Sequence, residues 1–441
     1  MRHKKSLGVL LGATLLLAPA SALRATDGHF LHGVGAINAA MGGAGVAAPL
    51  SILGTFYLNP AGLMAFDGTR VEFGFELFKP DRSVASSVTG GPAGTSDSKS
   101  DWTPIPAMAW TTKLNGDRVV VGVAGLGVGG FGVDYPASTT NPILAPQPNG
   151  FGQVYSNYQF LKIVPAIAFA PSPKLWVGVA ANIDWALLAV EPMPTAPPAF
   201  DPGTGTAFYS SAAAADGAFG VGFQAGVLFK PNDLVSLGAA YTSEQYFQDF
   251  EFNSTYANPN LASFGTPRTI TFKLNVPAIL VGGVAVNAAP NLLLTGEARY
   301  LFYETAAGFE IPDGQSISNP DGSVKAFGWR NITSLHAGAQ YRATDRVALR
   351  AGYNWTQNPI PDSLSMFNVP APAIVQSHAT LGVGVRPSRH FDISVAYYHA
   401  FAHSGTGPLF GPSGPVGTVT NTLSENSLLV TFSFATRGGS L

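Results

Sequence analysis

The sequence predicts an all-β fold, a transmembrane antiparallel β-barrel of about 14 strands with an N-terminal hatch (plug) inside the lumen. Three observations predict it. From residue 69 onward apolar and polar residues alternate with period two, often over segments long enough to cross a bilayer obliquely. Short turn-like joints alternate with long polar ones along the chain. Ahead of the strands lies a charge-free stretch, Gly33 to Phe66, broken by glycine and proline.

The elements follow in order. Residues 1–22 read as a signal peptide: Arg2, Lys4 and Lys5 form a basic start, Leu7 to Leu17 an apolar run, and Ala20-Ser21-Ala22 a small-x-small cleavage site. A second cut after Ala25 is the alternative, with Leu23 poorly placed for it. Loss of the three basic residues takes the formal net charge from −2 to −5.

Residues 23–68 form the expected hatch. The charge-free stretch has the length of a membrane helix, but Gly42, Gly43, Gly45, Pro49, Gly54 and Pro60 punctuate it, and "AINAAMGGAGVAAP" offers few large apolar residues. Pro60 removes a backbone donor and pushes Asn59 out of the helical region. An apolar, irregular segment needs burial in protein, and the lumen of the barrel that follows supplies it.

Residues 69–434 form the expected barrel. In "TRVEFGFELF" Val71, Phe73, Phe75 and Leu77 share one face, and Arg70, Glu72, Gly74 and Glu76 the other. "FGVGFQAGVLF" and "DRVALRAGYNW" repeat the pattern. The short joints are 113–118, 171–174, 230–233, 287–291, 342–346 and 386–390. The long ones are 81–102, 134–150, 191–212, 251–267, 304–325, 358–374 and 404–423. These joints separate about fourteen strands, an even number as outer-membrane barrels have, with short turns facing the periplasm. In lipid every backbone donor and acceptor needs a partner, so strands persist only in a closed ring. The last strand, "NSLLVTFSF", ends on the outward aromatic Phe434. The extension 435–441 after it leaves open whether an internal copy of the assembly signal suffices.

Composition excludes other classes. Only 11% of residues are charged, against about 25% in a typical globular domain. No cysteine is present, which removes disulfide and thiolate-metal chemistry, and no basic cluster offers a nucleic-acid footprint.

"GAINAAMGGAGVAAPLSILGTFYLNPAGL" resembles the N-terminal hatch of the FadL-type long-chain fatty-acid transporters of the outer membrane, a family that includes importers of aromatic hydrocarbons. Asn59-Pro60-Ala61 matches that family's hatch motif. "IVPAIAFAPSPKLWVGVAANI" and "LGVGVRPSRHFDISVAYYHAF" resemble its later strands, so the likeness covers nearly the whole mature chain. The resemblance implies capture near the outer surface and sideways release through a gap made by a kink in the third strand. Gly125, Gly127, Gly129 and Gly130 are the expected kink, since glycine within a strand marks a bulge or bend. The bland alternative is a strand packed tightly on the plug. Phe30 is expected at the ligand pocket, as the family's N-terminal apolar residue is.

Other motifs carry less. Gly125, Gly127 and Gly130 satisfy G-x-G-x-x-G, but "FGVDYPASTTNP" is no helix, so a dinucleotide fold is excluded. His399 and His403 lie about 13 Å apart in a strand, too far to share a metal. No catalytic constellation stands out, and neither enzyme activity nor a cofactor is expected. Arg70, Lys162, Arg299 and Arg350 point inward by alternation, with Glu72, Glu76, Asp184 and Glu297 as candidate partners. Ion pairs tying plug to wall are the favoured reading. The functional reading is a cation, Arg299 or Arg350, left free to hold a ligand carboxylate. With none free, a neutral substrate gains.

The expected function is plug-gated uptake of hydrophobic compounds, long-chain fatty acids first. The alternatives are an aromatic-hydrocarbon channel or a structural or adhesive surface barrel. The expected site is the outer membrane of a Gram-negative-type bacterium. The expected partners are hydrophobic small molecules and outer-membrane lipids, not nucleic acid, with the barrel a monomer.

Overall fold

The computed structural model describes residues 27–114, 118–311, 315–411 and 414–436. The expected signal peptide (1–22) and nearly all of the extension (435–441) lie outside the described residues. Fourteen antiparallel strands close into a ring: β1 (Thr69–Val88), β2 (Thr103–Lys113), β3 (Val119–Tyr135), β4 (Val154–Ser172), β5 (Leu175–Glu191), β6 (Ala212–Phe229), β7 (Val235–Thr242), β8 (Ile279–Ala289), β9 (Leu292–Leu301), β10 (Ile332–Thr344), β11 (Val347–Thr356), β12 (Ser377–Ser388), β13 (Phe391–Gly411) and β14 (Gly414–Ala435). Sequential neighbours pair throughout, and β14 closes on β1 from Arg70–Ala435 to Val88–Gly417. Closure leaves neither the first nor the last strand as an edge, which meets the demand of lipid on the backbone.

Alternation sets the two faces. Phe73 and Phe75 are each 45% exposed on the outside, while Glu72 and Glu76 between them are buried in the lumen. Phe434 stands outward on β14, stacked edge-on against Phe73. Trp102 and Trp110 are exposed, whereas Trp329 is fully buried among lumen aromatics.

All six short joints fall between strands where the turns were expected. The long joints differ more: that expected at 251–267 spans 243–278 and holds its own paired strands, Phe250–Thr255 and Pro267–Phe272. β1 runs on to Val88, and β13 and β14 continue as a hairpin to Gly411 and Gly414, so much of 81–102 and 404–423 is strand. Serine, threonine and glycine dilute the apolar alternation there, because these ends stand above the lipid and need no greasy face.

The stretch before β1 fills the lumen as two short helices, α1 (Gly35–Ala40) and α2 (Ile52–Leu58), and a 3₁₀ turn, Pro60–Ala65. Among the described residues no helix is long and apolar enough to cross a membrane. Ile52, Leu53, Phe56 and Leu63 are fully buried against the wall.

Candidate functional site

The hatch is fastened by polar bonds that the strand pattern places. Asn59 ends α2 and caps the 3₁₀ turn, its Oδ1 accepting from Ala61 N at 3.0 Å. Its Nδ2 donates to Val46 O (2.9 Å) within the hatch and to Val227 O (3.0 Å) on β6. The Pro60–Ala61 peptide lies so close to Gly178 of β5 that any side chain there would collide with it. The Asn-Pro-Ala motif therefore seats the hatch on the wall.

Arg299 and Glu297, alternate residues of β9, make the second fastening. Arg299 Nε donates to Glu297 Oε1 (2.7 Å), Nη1 to Asp27 Oδ2 (2.7 Å) and Nη2 to Gly43 O (2.7 Å). Glu297 Oε2 accepts from the backbone N–H of Gly45 (2.8 Å) and Val46 (2.7 Å). Asp27 also accepts from Ser334 and from Thr356 Oγ1 (2.9 Å). Burial alone would raise its carboxyl, but His336, Arg299 and these bonds hold it well below the usual carboxylate range.

Asp27 thereby pins the segment 27–31 at a defect in the wall. Pairing of β2 with β3 stops at Ala107–Leu126, and from there β2 turns away along β1 while β3 runs on with β4. A register shift in β3 falls between Gly127 and Gly129, leaving Val128 as the extra residue of a bulge. The freed edge of β3 is covered by the N-terminal segment: Leu31 N donates to Val128 O (3.0 Å) and Gly130 N to His29 O (2.9 Å). Gly129 lies directly beneath His29 and Phe30, where a side chain would strike the His29 carbonyl.

A cavity of about 500 Å³ opens at this notch. Phe30, Phe131, Tyr158 and Phe160 line its lumen side, and Leu161 and Leu187, more than a third exposed on the outer surface, line its far side. Its lining therefore includes both lumen-facing and outward-facing side chains. His29 is stacked between Phe30 (4.5 Å) and Phe309 (5.4 Å), with Tyr303 Oη 3.1 Å from its Nδ1. Burial holds this imidazole down at about 3, so it is neutral at ordinary pH.

The lumen end of the cavity is polar. Arg82 on β1, Glu425 on β14 and His378 on β12 line it. His378, Ala400, Glu425 and Pro80 lie in one register row across four strands, and the small Ala400 lets His378 Nε2 come within 3.5 Å of Glu425. His32 packs on His378, their ring centres 4.7 Å apart.

The structure thus brings Phe30, Gly127, Gly129 and Gly130 to one cavity, and Gly125 stays within the paired part of β3. Arg299 and Arg350 do not line it. Arg299 is committed to the hatch, and Arg350 donates to Gln340 Oε1 at 2.7 Å on the half of β11 next to its short turn. Lys162 and Asp184 oppose each other in register on β4 and β5, yet form no ion pair among the described residues. Sequence reading missed Asp27, His29, His378, Arg82 and Glu425. Continuing the period-two count of β1 beyond Pro80 would have placed Arg82 inside, and counting back from Leu428 and Leu381 would have done so for Glu425 and His378; nothing in the sequence pointed to Asp27 or His29.

Comparison with known proteins agrees with this architecture. A family model described as "Outer membrane protein transport protein (OMPP1/FadL/TodX)" matches residues 17–407. The Pseudomonas putida toluene transporter TodX superposes with TM-score 0.70 at 17% identity, over 92% of this chain and 100% of that one. A Pseudomonas aeruginosa FadL homologue gives 0.71 at 16% identity, covering 92% and 99%. The Ralstonia pickettii toluene transporter TbuX gives 0.65 at 16%, covering 92% and 99%. At these identities the likeness establishes the shared fold. No curated protein sequence matches the chain.

Proposed function

The chain belongs to the OMPP1/FadL/TodX family of outer-membrane transport proteins, and from that premise we propose that it takes up small, neutral aromatic compounds rather than fatty-acid anions. The observation that carries this reading is the cavity at the notch between β2 and β3, which is lined both by lumen aromatics and by outward-facing side chains. A hydrophobic solute entering there moves from protein to lipid without crossing water, so the step runs downhill by the apolar area kept dry. Gly127, Gly129 and Gly130 leave the strand edge without side chains to obstruct it.

Charge balance favours a neutral ligand. The cavity lining has one permanent cation, Arg82, against two carboxylates, Asp101 and Glu425. A carboxylate head would meet like charge there and find no uncommitted second cation. Several structures of the same fold are toluene transporters, which points the same way. The polar fastening of the hatch supports a plug that stays seated while ligand leaves sideways.

Uptake of labelled toluene and labelled palmitate into cells expressing the chain, against cells with an empty vector, tests the proposal. Faster entry of toluene with no effect on palmitate is expected. The opposite pattern overturns it.

A further inference from the structure

Within the uptake reading above, on which this inference rests, the polar end of the cavity adds a chemical requirement. Most buried charges of the lumen are saturated. Glu76 accepts from Tyr398 Oη (2.8 Å) and Ser427 Oγ (2.6 Å), Glu72 from Ser51 Oγ (2.5 Å), and Glu297 and Arg299 bind the hatch and each other. The Asp184 carboxylate is not saturated, but it does not line the cavity; Arg82 and Glu425 differ in lining it. The Arg82 guanidinium makes no hydrogen bond or ion pair among the described residues, and the Glu425 carboxylate has only His378 Nε2, at 3.5 Å. His378 is itself held through Nδ1 by Asn354 Oδ1 (2.8 Å), so its Nε2 is directed at the Glu425 side. All three groups line the cavity, opposite the apolar walls of Phe30 and Phe160.

We propose that Arg82 and Glu425 together form a receptor for a hydroxyl group on an aromatic ligand, so that the protein prefers phenol-like compounds to the plain hydrocarbons of the same size. Arg82 can only donate hydrogen bonds and an ionised Glu425 can only accept. A hydroxyl does both, and so answers the two in one position. A hydrocarbon would strip water from both groups and return no bond, which is the costlier mismatch in a polar site. A carboxylate would satisfy Arg82 but set a second negative charge beside Glu425. Register places the two groups one inward step apart on adjacent strands, Pro80 facing Glu425 and Arg82 facing Leu423, which leaves a small group room to bridge them.

The test is calorimetric titration of the purified protein in detergent with 4-ethylphenol, propylbenzene and 4-ethylbenzoate. Wild type is compared with Arg82→Met and Glu425→Gln. Comparing one ligand across proteins cancels its partition into micelles. Each variant is expected to weaken 4-ethylphenol about tenfold, the worth of one charge-assisted hydrogen bond, and to bind propylbenzene at least as tightly as wild type, since one charge fewer is desolvated. Heat-modifiable gel mobility confirms that each variant forms the barrel. If both variants bind 4-ethylphenol as wild type does, or if Arg82→Met weakens 4-ethylbenzoate alone, the receptor is overturned while uptake of aromatics stands. If wild type binds neither neutral ligand, the uptake proposal itself falls.

Discussion

Replacing Asp27 with alanine should release the N-terminal segment from the notch while leaving the barrel intact. Asp27 is 1% exposed and accepts from Arg299, Ser334 and Thr356. Breaking a buried, hydrogen-bonded ion pair by removing one partner costs about 3–5 kcal/mol. Arg299 keeps Glu297 and the Gly43 carbonyl, so the lower figure applies. The segment is otherwise held by two backbone bonds to β3, by Tyr303 Oη on Asp27 O and His29, by Tyr57 Oη on Leu31 O, and by the stacking of His29 on Phe30 and Phe309, all of which Asp27→Ala leaves in place. A loss of about 3 kcal/mol raises its undocked population roughly a hundredfold. The chain has no cysteine, so Val34→Cys, nearly isosteric and 2% exposed, gives a single reporter beside the segment. Thiol labelling of that cysteine should accelerate about a hundredfold when Asp27→Ala is added. An acceleration of less than threefold would refute the anchoring role of Asp27.

The same reporter should show a pH dependence from His29. Its imidazole is held at about 3 when docked, so the undocked segment binds the extra proton below its ordinary value near 6.5. Docking is strongest above that pH and weakens by up to about 1.4 kcal/mol per unit as pH falls toward the docked value. Asp27 is also held low when docked, but from an ordinary carboxylate value near 3.8, so its contribution is complete above that value and adds little slope between pH 7 and 4.5. His29→Phe should reduce the slope over that range and leave the part that His32, also held down by burial, contributes; an unchanged profile would assign it elsewhere. Asn59→Ala removes two hatch bonds and the cap, about 1–3 kcal/mol, and should raise ion conductance in planar bilayers without changing gel mobility. Gly178→Val should do the same by pushing the Pro60–Ala61 peptide off β5, and wild-type conductance in that variant would speak against the tight seat.

Legibility followed periodicity. Glu72 and Glu76 were readable as lumen residues and Phe73 and Phe75 as lipid-facing ones, because one side chain in two must meet hydrocarbon. The glycines of β3 were readable as a weak point, and the register shift falls among them. Arg299 read first as a structural tie and second as a ligand receptor. Its choice depended on Asp27, 272 residues away, and on the Gly43 carbonyl, neither of which alternation can locate.

The order of residues by itself determined an exported, cysteine-free ring of fourteen alternating strands and a neutral segment that had to shelter within it. Those properties rest on local rules, since pleating sets the faces of a strand and proline and glycine end the helices. Only the closed ring decided which charges are used up and which remain. It set Glu425 beside Arg82 through the pairing of the last strand with the first, and brought His29 onto the open edge of β3. Such neighbours share no stretch of sequence, and their encounter is a consequence of register and closure.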